Sequence, residues 1–164
     1  MGRDKALIDV AGEPLALRTA HVLEAAGALE VVAIGGDGDA IGALGLAWHA
    51  DLYPGEGPLG AIITAFRVTP IDVVVVVATD LVALTPSVIR AVVAGLAPDT
   101  DVALAHSGRL EPLCGAWRRR AEPSIAATFA AGERAVHAAI GKLAVVTVPV
   151  AAADLRNVNW PSDL

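Results

Sequence analysis

Apolar and polar positions along the chain fall into two alternating kinds of stretch. Residues 15–26 have helical spacing, with Pro14 at the start and Gly27 as the stop. Residues 29–34 are apolar and end in Gly35-Gly36, as a buried strand before a tight loop would. A short helix over 41–44 and a short strand over 46–50 follow, then a Gly- and Pro-rich loop at 51–60, DLYPGEGPLG. A helix is expected over 59–68. The run IDVVVVVAT, residues 71–79, is the clearest strand; its unbroken β-branched character predicts a central position with both faces covered. Thr85-Pro86 opens a helix that reaches about residue 96. Strands are expected at 101–105, 113–117 and 143–150, and helices at 122–131 and 134–140, stopped by Gly132 and Gly141. The tail RNVNWPSDL is polar and irregular. Strands alternating with helices predict one α/β domain with a mostly parallel sheet, spanning residues 1–164 without linker or repeat. In such sheets ligands sit beyond the carboxyl ends of the strands, which directs attention to Gly35-Gly36, residues 51–60 and Asp80.

Composition narrows the function classes. The 164 residues carry 12 Lys+Arg against 18 Asp+Glu, a net charge of -6, which disfavours a nucleic-acid partner. Apolar residues make up 55% of the chain, ample material for a core. No apolar run approaches the roughly 20 residues of a membrane-spanning helix. One cysteine, Cys114, leaves no intramolecular disulfide, and His21, His49, His106 and His137 show no metal-ligand spacing. The N-terminus lacks the apolar stretch of a signal peptide, so the cytoplasm is the expected compartment.

Several residues carry two readings each. Asp80 follows the valine run directly; it is either a carboxylate for a hard cation such as Mg2+, which takes oxygen ligands and substrate phosphates, or a cap for the following turn. The 51–60 loop either cradles a phosphate with its backbone amides or is a surface turn, and Asp51 either bonds a sugar or base or is solvated. Lys5 is a point charge for a polyphosphate or a solvated lysine. Asn157 and Asn159 face one side if the chain is extended there, as paired amides for a ligand or as turn formers. Arg118, Arg119 and Arg120 form the only basic run, either a receiver for an anionic substrate or a solvated face.

The order of these signals resembles the molybdenum cofactor guanylyltransferases and their MobA-like nucleotidyltransferase relatives. The resemblance covers essentially the whole chain. It rests on Met1-Gly2 with Asp4-Lys5, residues 12–15, Gly35-Gly36, Asp51 with residues 54–60, Asp80, residues 111–113 and residues 157–164. The family pattern opens with a strand and a glycine-rich loop, roughly LAGGxSxRMGxDK, whose glycines hold the base and phosphates; this sequence starts at Met1-Gly2 without them, either because it enters the pattern late, which is the expectation, or because the protein is truncated, which would make it inactive. Where the family often has Cys-Asp-Met-Pro, this chain has Thr79-Asp80-Leu81-Val82, which keeps the carboxylate.

The resemblance implies a Rossmann-like three-layer sandwich of the nucleotide-diphospho-sugar transferase type. It implies an enzyme that transfers GMP from GTP to Mo-molybdopterin and releases pyrophosphate, with Mg2+ as cofactor. Lys5 and Asp80 would be catalytic, Asp80 on the metal. Lys5, Gly35, Gly36, Asp51, Gly57, Pro58, Leu59 and Asp80 would bind the nucleotide. Glu111, Arg118, Arg119, Asn157 and Asn159 would face the pterin. Transient contact with molybdoenzymes or other cofactor-biosynthesis proteins is implied as well. Cys114 is read as a small buried hydrophobe, since no side-chain nucleophile is needed. The rival readings are a cytidylyl or other transferase on the same fold, which a CTP preference would reveal, and a non-catalytic nucleotide-binding module.

Overall fold

The computed structural model describes residues 5–157. A 3-10 turn, Lys5–Leu7, leads into a two-residue hairpin of β1 (Asp9–Val10) and β2 (Glu13–Pro14). Then come α1 (Leu15–Ala26), β3 (Val32–Ile34), α2 (Gly38–Ala43), β4 (Ala47–His49), α3 (Pro58–Val68) and β5 (Val73–Val77). The second half contains α4 (Pro86–Ala94), β6 (Val102–His106), β7 (Leu110–Arg118), α5 (Glu122–Ala130), α6 (Val136–Ile140) and β8 (Val145–Pro149), followed by a 3-10 turn, Ala152–Leu155. The helices start and stop close to where Pro and Gly predict. Gly27, at φ 102°, closes α1 in the left-handed conformation that glycine adopts without strain.

Four strands form a sheet in the order β5-β7-β6-β8, and β3 and β4 form a separate parallel pair. The α/β reading stands, but the larger sheet is mixed. β7 lies antiparallel to both neighbours, while β6 and β8 are parallel. The reason is local: Ser107 and Gly108 turn the chain back on itself, with the Ser107 amide donating to the Arg109 carbonyl at 3.0 Å. A single short turn can join only antiparallel strands.

The strands alternate between two apolar layers. Val74, Val76, Val102, Leu104 and Trp117 pack against Leu59, Ile62, Ile63 and Phe66 of α3 and against Ile125, Val136 and Ile140 of the last two helices. Val75, Val77, Ala103, Ala105, Cys114 and Ala116 pack against Val88, Ile89 and Val92 of α4, with Val22 and Leu23 of α1 behind them. Small residues dominate the second face. Gly115 is needed on the first, where a Cβ would stand 2.8 Å from the Ala103 carbonyl oxygen and closer still to Leu104. Cys114 is fully buried among these side chains, and burial, with the charge of Glu111 adding to it, pushes its thiol pKa up to about 12.

The expectation for the valine run needs correcting. Both faces of β5 are covered, yet β5 is not central; among the described residues it ends the four-stranded sheet. Its outer edge and that of β3 face a slot comprising cavities of about 340 and 500 Å3. Val31, Val32 and Ile34 line the slot on one side and Val73–Val77 on the other. The interior strands are β7 and β6, each paired on both sides, and four of the five residues of β6 are buried. No helix among the described residues is long and apolar enough to cross a membrane.

Candidate functional site

The carboxyl edge of the strands gathers most of the polar residues singled out by sequence. β5 ends at Val77, and the Ala78 amide still reaches the Leu113 carbonyl at 2.8 Å, so Thr79 and Asp80 leave the sheet beside the start of β7. The main chain turns sharply there, the Val82 amide donating to the Asp80 carbonyl at 3.0 Å. The Asp80 side chain is half-buried and makes no hydrogen bond or ion pair with any described residue. Glu111 lies opposite Ala105, at a register shift in the β6–β7 ladder, and forms a loose ion pair with Arg109 at 3.9 Å. His106 ends β6 at the same edge, a position that its isolated occurrence in sequence does not signal.

A second group forms where β3 and β4 end. Gly35 and Gly36 both have positive φ, 73° and 75°. The Gly35 amide donates to the His49 carbonyl at 2.9 Å, and Trp48 Nε1 donates to the Gly35 carbonyl at 2.7 Å. The indole lies so close over α2 that a Cβ at Gly38 would stand 2.8 Å from the ring. A Cβ at Gly35 would stand 3.4 Å from that of Asp51, so the paired glycines and Asp51 are neighbours.

Asp51 is held by two hydrogen bonds. Its Oδ1 accepts from the Tyr53 amide at 2.9 Å and from Thr64 Oγ1 at 2.9 Å. Thr64 is fully buried on α3, and its hydroxyl also accepts from the Leu52 amide at 3.1 Å. Farther along the loop, Glu56 pairs with Arg134 at 2.5 Å, and the Arg134 guanidinium lies 4.0 Å over the Phe129 ring. Gly57 caps α3 at φ 84°, and Pro58 opens the helix. Leu59 points the other way: its side chain is fully buried in the core, so its place in the helix is set by packing.

The cavity of about 340 Å3 runs between the two groups, lined by Gly35, Gly36, Pro58, Thr79, Leu113 and Ala6, with Asp51 and Asp80 outside its lining. Lys5, exposed in the first 3-10 turn, stands next to Ala6. Asn157 is exposed, two residues beyond the turn that follows β8, while Asn159 lies outside the described residues.

Arg118 and Arg119 are not brought to this edge. Arg118 bonds Asp72 Oδ2 at 3.0 Å and the Leu96 carbonyl at 3.2 Å. Arg119 donates to the carbonyls of Phe66, at 2.8 Å, and of Thr69 and Ile71, where α3 ends. Asp72 precedes β5, so both arginines sit at the opposite end of the sheet from Asp80. The antiparallel direction of β7 explains this: Glu111 and Arg118 lie near its two ends, separated by roughly 23 Å of strand rise. Arg120 is likewise engaged, with Asp101 at 2.7 Å.

Trp48 and Thr64 are the positions that sequence reading passed over. An indole on a short strand and a threonine on an apolar helix read as packing residues; only the structure shows that they hold Gly35 and Asp51.

Among the described residues, no cluster of three His, Cys, Asp or Glu side chains is placed to hold a metal. A site with one or two carboxylates suits Mg2+ carried on substrate phosphates, and the unengaged Asp80 carboxylate fits that chemistry.

Comparison with known proteins identifies the family and the fold. A family model described as the MobA-like NTP transferase domain matches residues 1–146. The chain is 33% identical over 171 residues to the molybdenum cofactor guanylyltransferase of Rhodobacter capsulatus, covering all of this chain and 86% of that protein. Among solved structures, molybdopterin-guanine dinucleotide biosynthesis protein A from Archaeoglobus fulgidus superposes with a TM-score of 0.79 at 22% identity, over 99% of this chain and 87% of that one. A 4-diphosphocytidyl-2C-methyl-D-erythritol synthase from Anaerococcus prevotii reaches the same TM-score, 0.79, at 8% identity, over 95% of this chain and 85% of that one. The fold is therefore shared by enzymes whose names point to different bases.

Proposed function

The chain belongs to the MobA-like NTP transferase family, and on that premise we propose that it transfers GMP from GTP to Mo-molybdopterin with release of pyrophosphate. The observation that carries the reading is Asp80, an unengaged, half-buried carboxylate at the carboxyl edge of the sheet, one residue beyond Thr79, which lines the same cavity as Gly35, Gly36 and Pro58. The guanylyl assignment is supported by the full-length similarity to relatives named for that reaction.

In this reading residues 1–164 act as one nucleotidyltransferase domain, working in the cytoplasm on two soluble substrates. The terminal phosphate oxygen of the pterin attacks the α-phosphorus of GTP, and the bond to the β-phosphate oxygen breaks. The nucleophile is already an anion, so no side chain has to abstract a proton. The barrier is one of charge and alignment, and positioning plus electrostatic stabilisation lower it. Mg2+, held by Asp80 and by substrate oxygens, supplies charge neutralisation when bound. Lys5 offsets charge on the triphosphate. Gly35, Gly36 and Asp51 hold the guanosine, and the backbone of Gly57, Pro58 and Leu59 borders the phosphates. Glu111, Asn157 and Asn159 serve the pterin side. Arg118 and Arg119 are left out of the site because they tie the far end of the sheet to α3 and to the segment after α4.

The test is competition among GTP, CTP and ATP in a transfer assay with Mo-molybdopterin and Mg2+, following pyrophosphate release. GTP is expected to win clearly. A CTP preference moves the protein to the cytidylyl branch, and no release with any of the three leaves the non-catalytic module.

A further inference from the structure

The bonds around Asp51 account for one of its two carboxylate oxygens. Oδ1 accepts from the Tyr53 amide and from the Thr64 hydroxyl, both at 2.9 Å, and a carboxylate oxygen has two lone-pair sites. Oδ2 has no hydrogen bond or ion pair with any described residue. A symmetric fork, in which both oxygens take donors from one base edge, is therefore closed to this side chain.

We propose that Thr64 is a positioning residue of the nucleoside site, reserving Oδ2 of Asp51 as a single-oxygen acceptor for one donor edge or hydroxyl of the bound nucleoside. The proposal deepens the transferase reading and rests on it. Three features favour it. Thr64 has no exposed surface, so its hydroxyl meets no ligand itself and acts only through Asp51, Leu52 and the Gly60 carbonyl, which it approaches to 3.0 Å. It belongs to α3, the helix whose buried face anchors one apolar layer, so the hydroxyl is fixed in the frame of the sheet rather than of the loop. Gly35, with its carbonyl tied by Trp48 and its amide by the His49 carbonyl, is a neighbour of Asp51, a Cβ on it standing 3.4 Å from the Asp51 Cβ. The Asp51 side chain thus carries a fixed bond from a core helix and lies next to the glycine turn that ends β3. A hydrogen bond to a charged group that fixes an acceptor before the ligand arrives spares the ordering cost at binding.

The experiment compares wild type, Thr64→Val and Thr64→Ser in the guanylyl transfer assay, with GTP binding measured by calorimetry. Valine keeps the volume and removes the hydroxyl; serine keeps the hydroxyl. Thr64→Val is expected to raise the KM for GTP by about tenfold with kcat nearly unchanged, while Thr64→Ser stays close to wild type. Combining Thr64→Val with Asp51→Asn should add little beyond Asp51→Asn alone, because one residue acts through the other. If Thr64→Val does not fold, Thr64→Ala removes the same hydroxyl without the added methyl. A lower melting temperature with unchanged KM, a serine variant as weak as the valine one, or additive effects in the double variant would each overturn the proposal. A wild-type protein that binds no nucleoside triphosphate overturns the transferase reading along with it.

Discussion

Single residues differ in how far their chemistry follows from type and position. Asp80 is legible because a carboxylate three positions after the last of five consecutive valines must leave the strand at its carboxyl end. Replacing it with Asn keeps size and removes the charge. Pyrophosphate release from GTP and Mo-molybdopterin is expected to fall by at least about a hundredfold, as for other lost groups that neutralise transition-state charge, with the melting temperature little changed. Turnover near wild type would remove Asp80 from the mechanism. Lys5 is a weaker signal that gains weight from its place next to Ala6 at the cavity. Lys5→Ala should weaken GTP binding and flatten its salt dependence, since an exposed point charge acts through a screened field. Equal calorimetric affinities at two salt concentrations would make it a plain surface lysine. Thr64 was illegible for a physical reason. Its partner Asp51 is thirteen positions away, and no periodicity marks a hydroxyl that points from a helix into a loop.

Elements were legible where backbone chemistry punctuates them. Proline opens α3, α4 and α5 within their first turn, and glycine ends α1. β7 runs from Leu110 to Arg118, longer than the 113–117 that the pattern predicts, because Glu111 and Pro112 look unlike a strand. Pro112 is tolerated near the start of the strand, beyond the ladder with β5 and next to the register shift with β6. The hairpin direction was not legible, and with it went the placement of Arg118 and Arg119. The same end of the sheet holds a pH-dependent clasp. Asp101 accepts from the Ala144 amide at 2.9 Å and from Arg120 Nε at 2.7 Å, joining the start of β6 to the segments before β8 and α5. The Ala144 amide, and then Arg120, hold its carboxyl below the ordinary 3.8. A depressed folded-state pKa stabilises the protein above 3.8, and that contribution fades as the pH falls through the folded value. Asp101→Asn should therefore melt below wild type at pH 7, and the gap should narrow below about pH 4. A gap of the same size at pH 7 and pH 3 would show that the charge does not matter.

At the scale of the molecule, apart from the small β1–β2 hairpin, the described residues form two β units held together by helices rather than one continuous ladder. The β3–β4 pair has three residue pairs, all six residues half-buried or exposed. β6 has partners on both sides, and four of its five residues are fully buried. Alternating strands and helices made the layers legible, but the slot between β3 and β5 was not, since strand order depends on contacts between distant segments. The consequence is a gradient of local stability. Opening the β3–β4 unit exposes little apolar surface and breaks a short ladder. Opening β6 breaks two ladders and exposes both apolar layers at once. Native-state hydrogen exchange should show the Val32, Ile34 and His49 amides exchanging at least about tenfold faster than those of Val102, Leu104 and Ala116. GTP, if it seats against Gly35 and Asp51, should slow exchange around β3 and β4 and leave β6 unchanged, because a ligand stabilises against those openings that destroy its site. Uniform protection across both units would mean that the helices couple them into one cooperative body. Protection by GTP confined to the β7 end of the edge would move the nucleoside site away from Asp51.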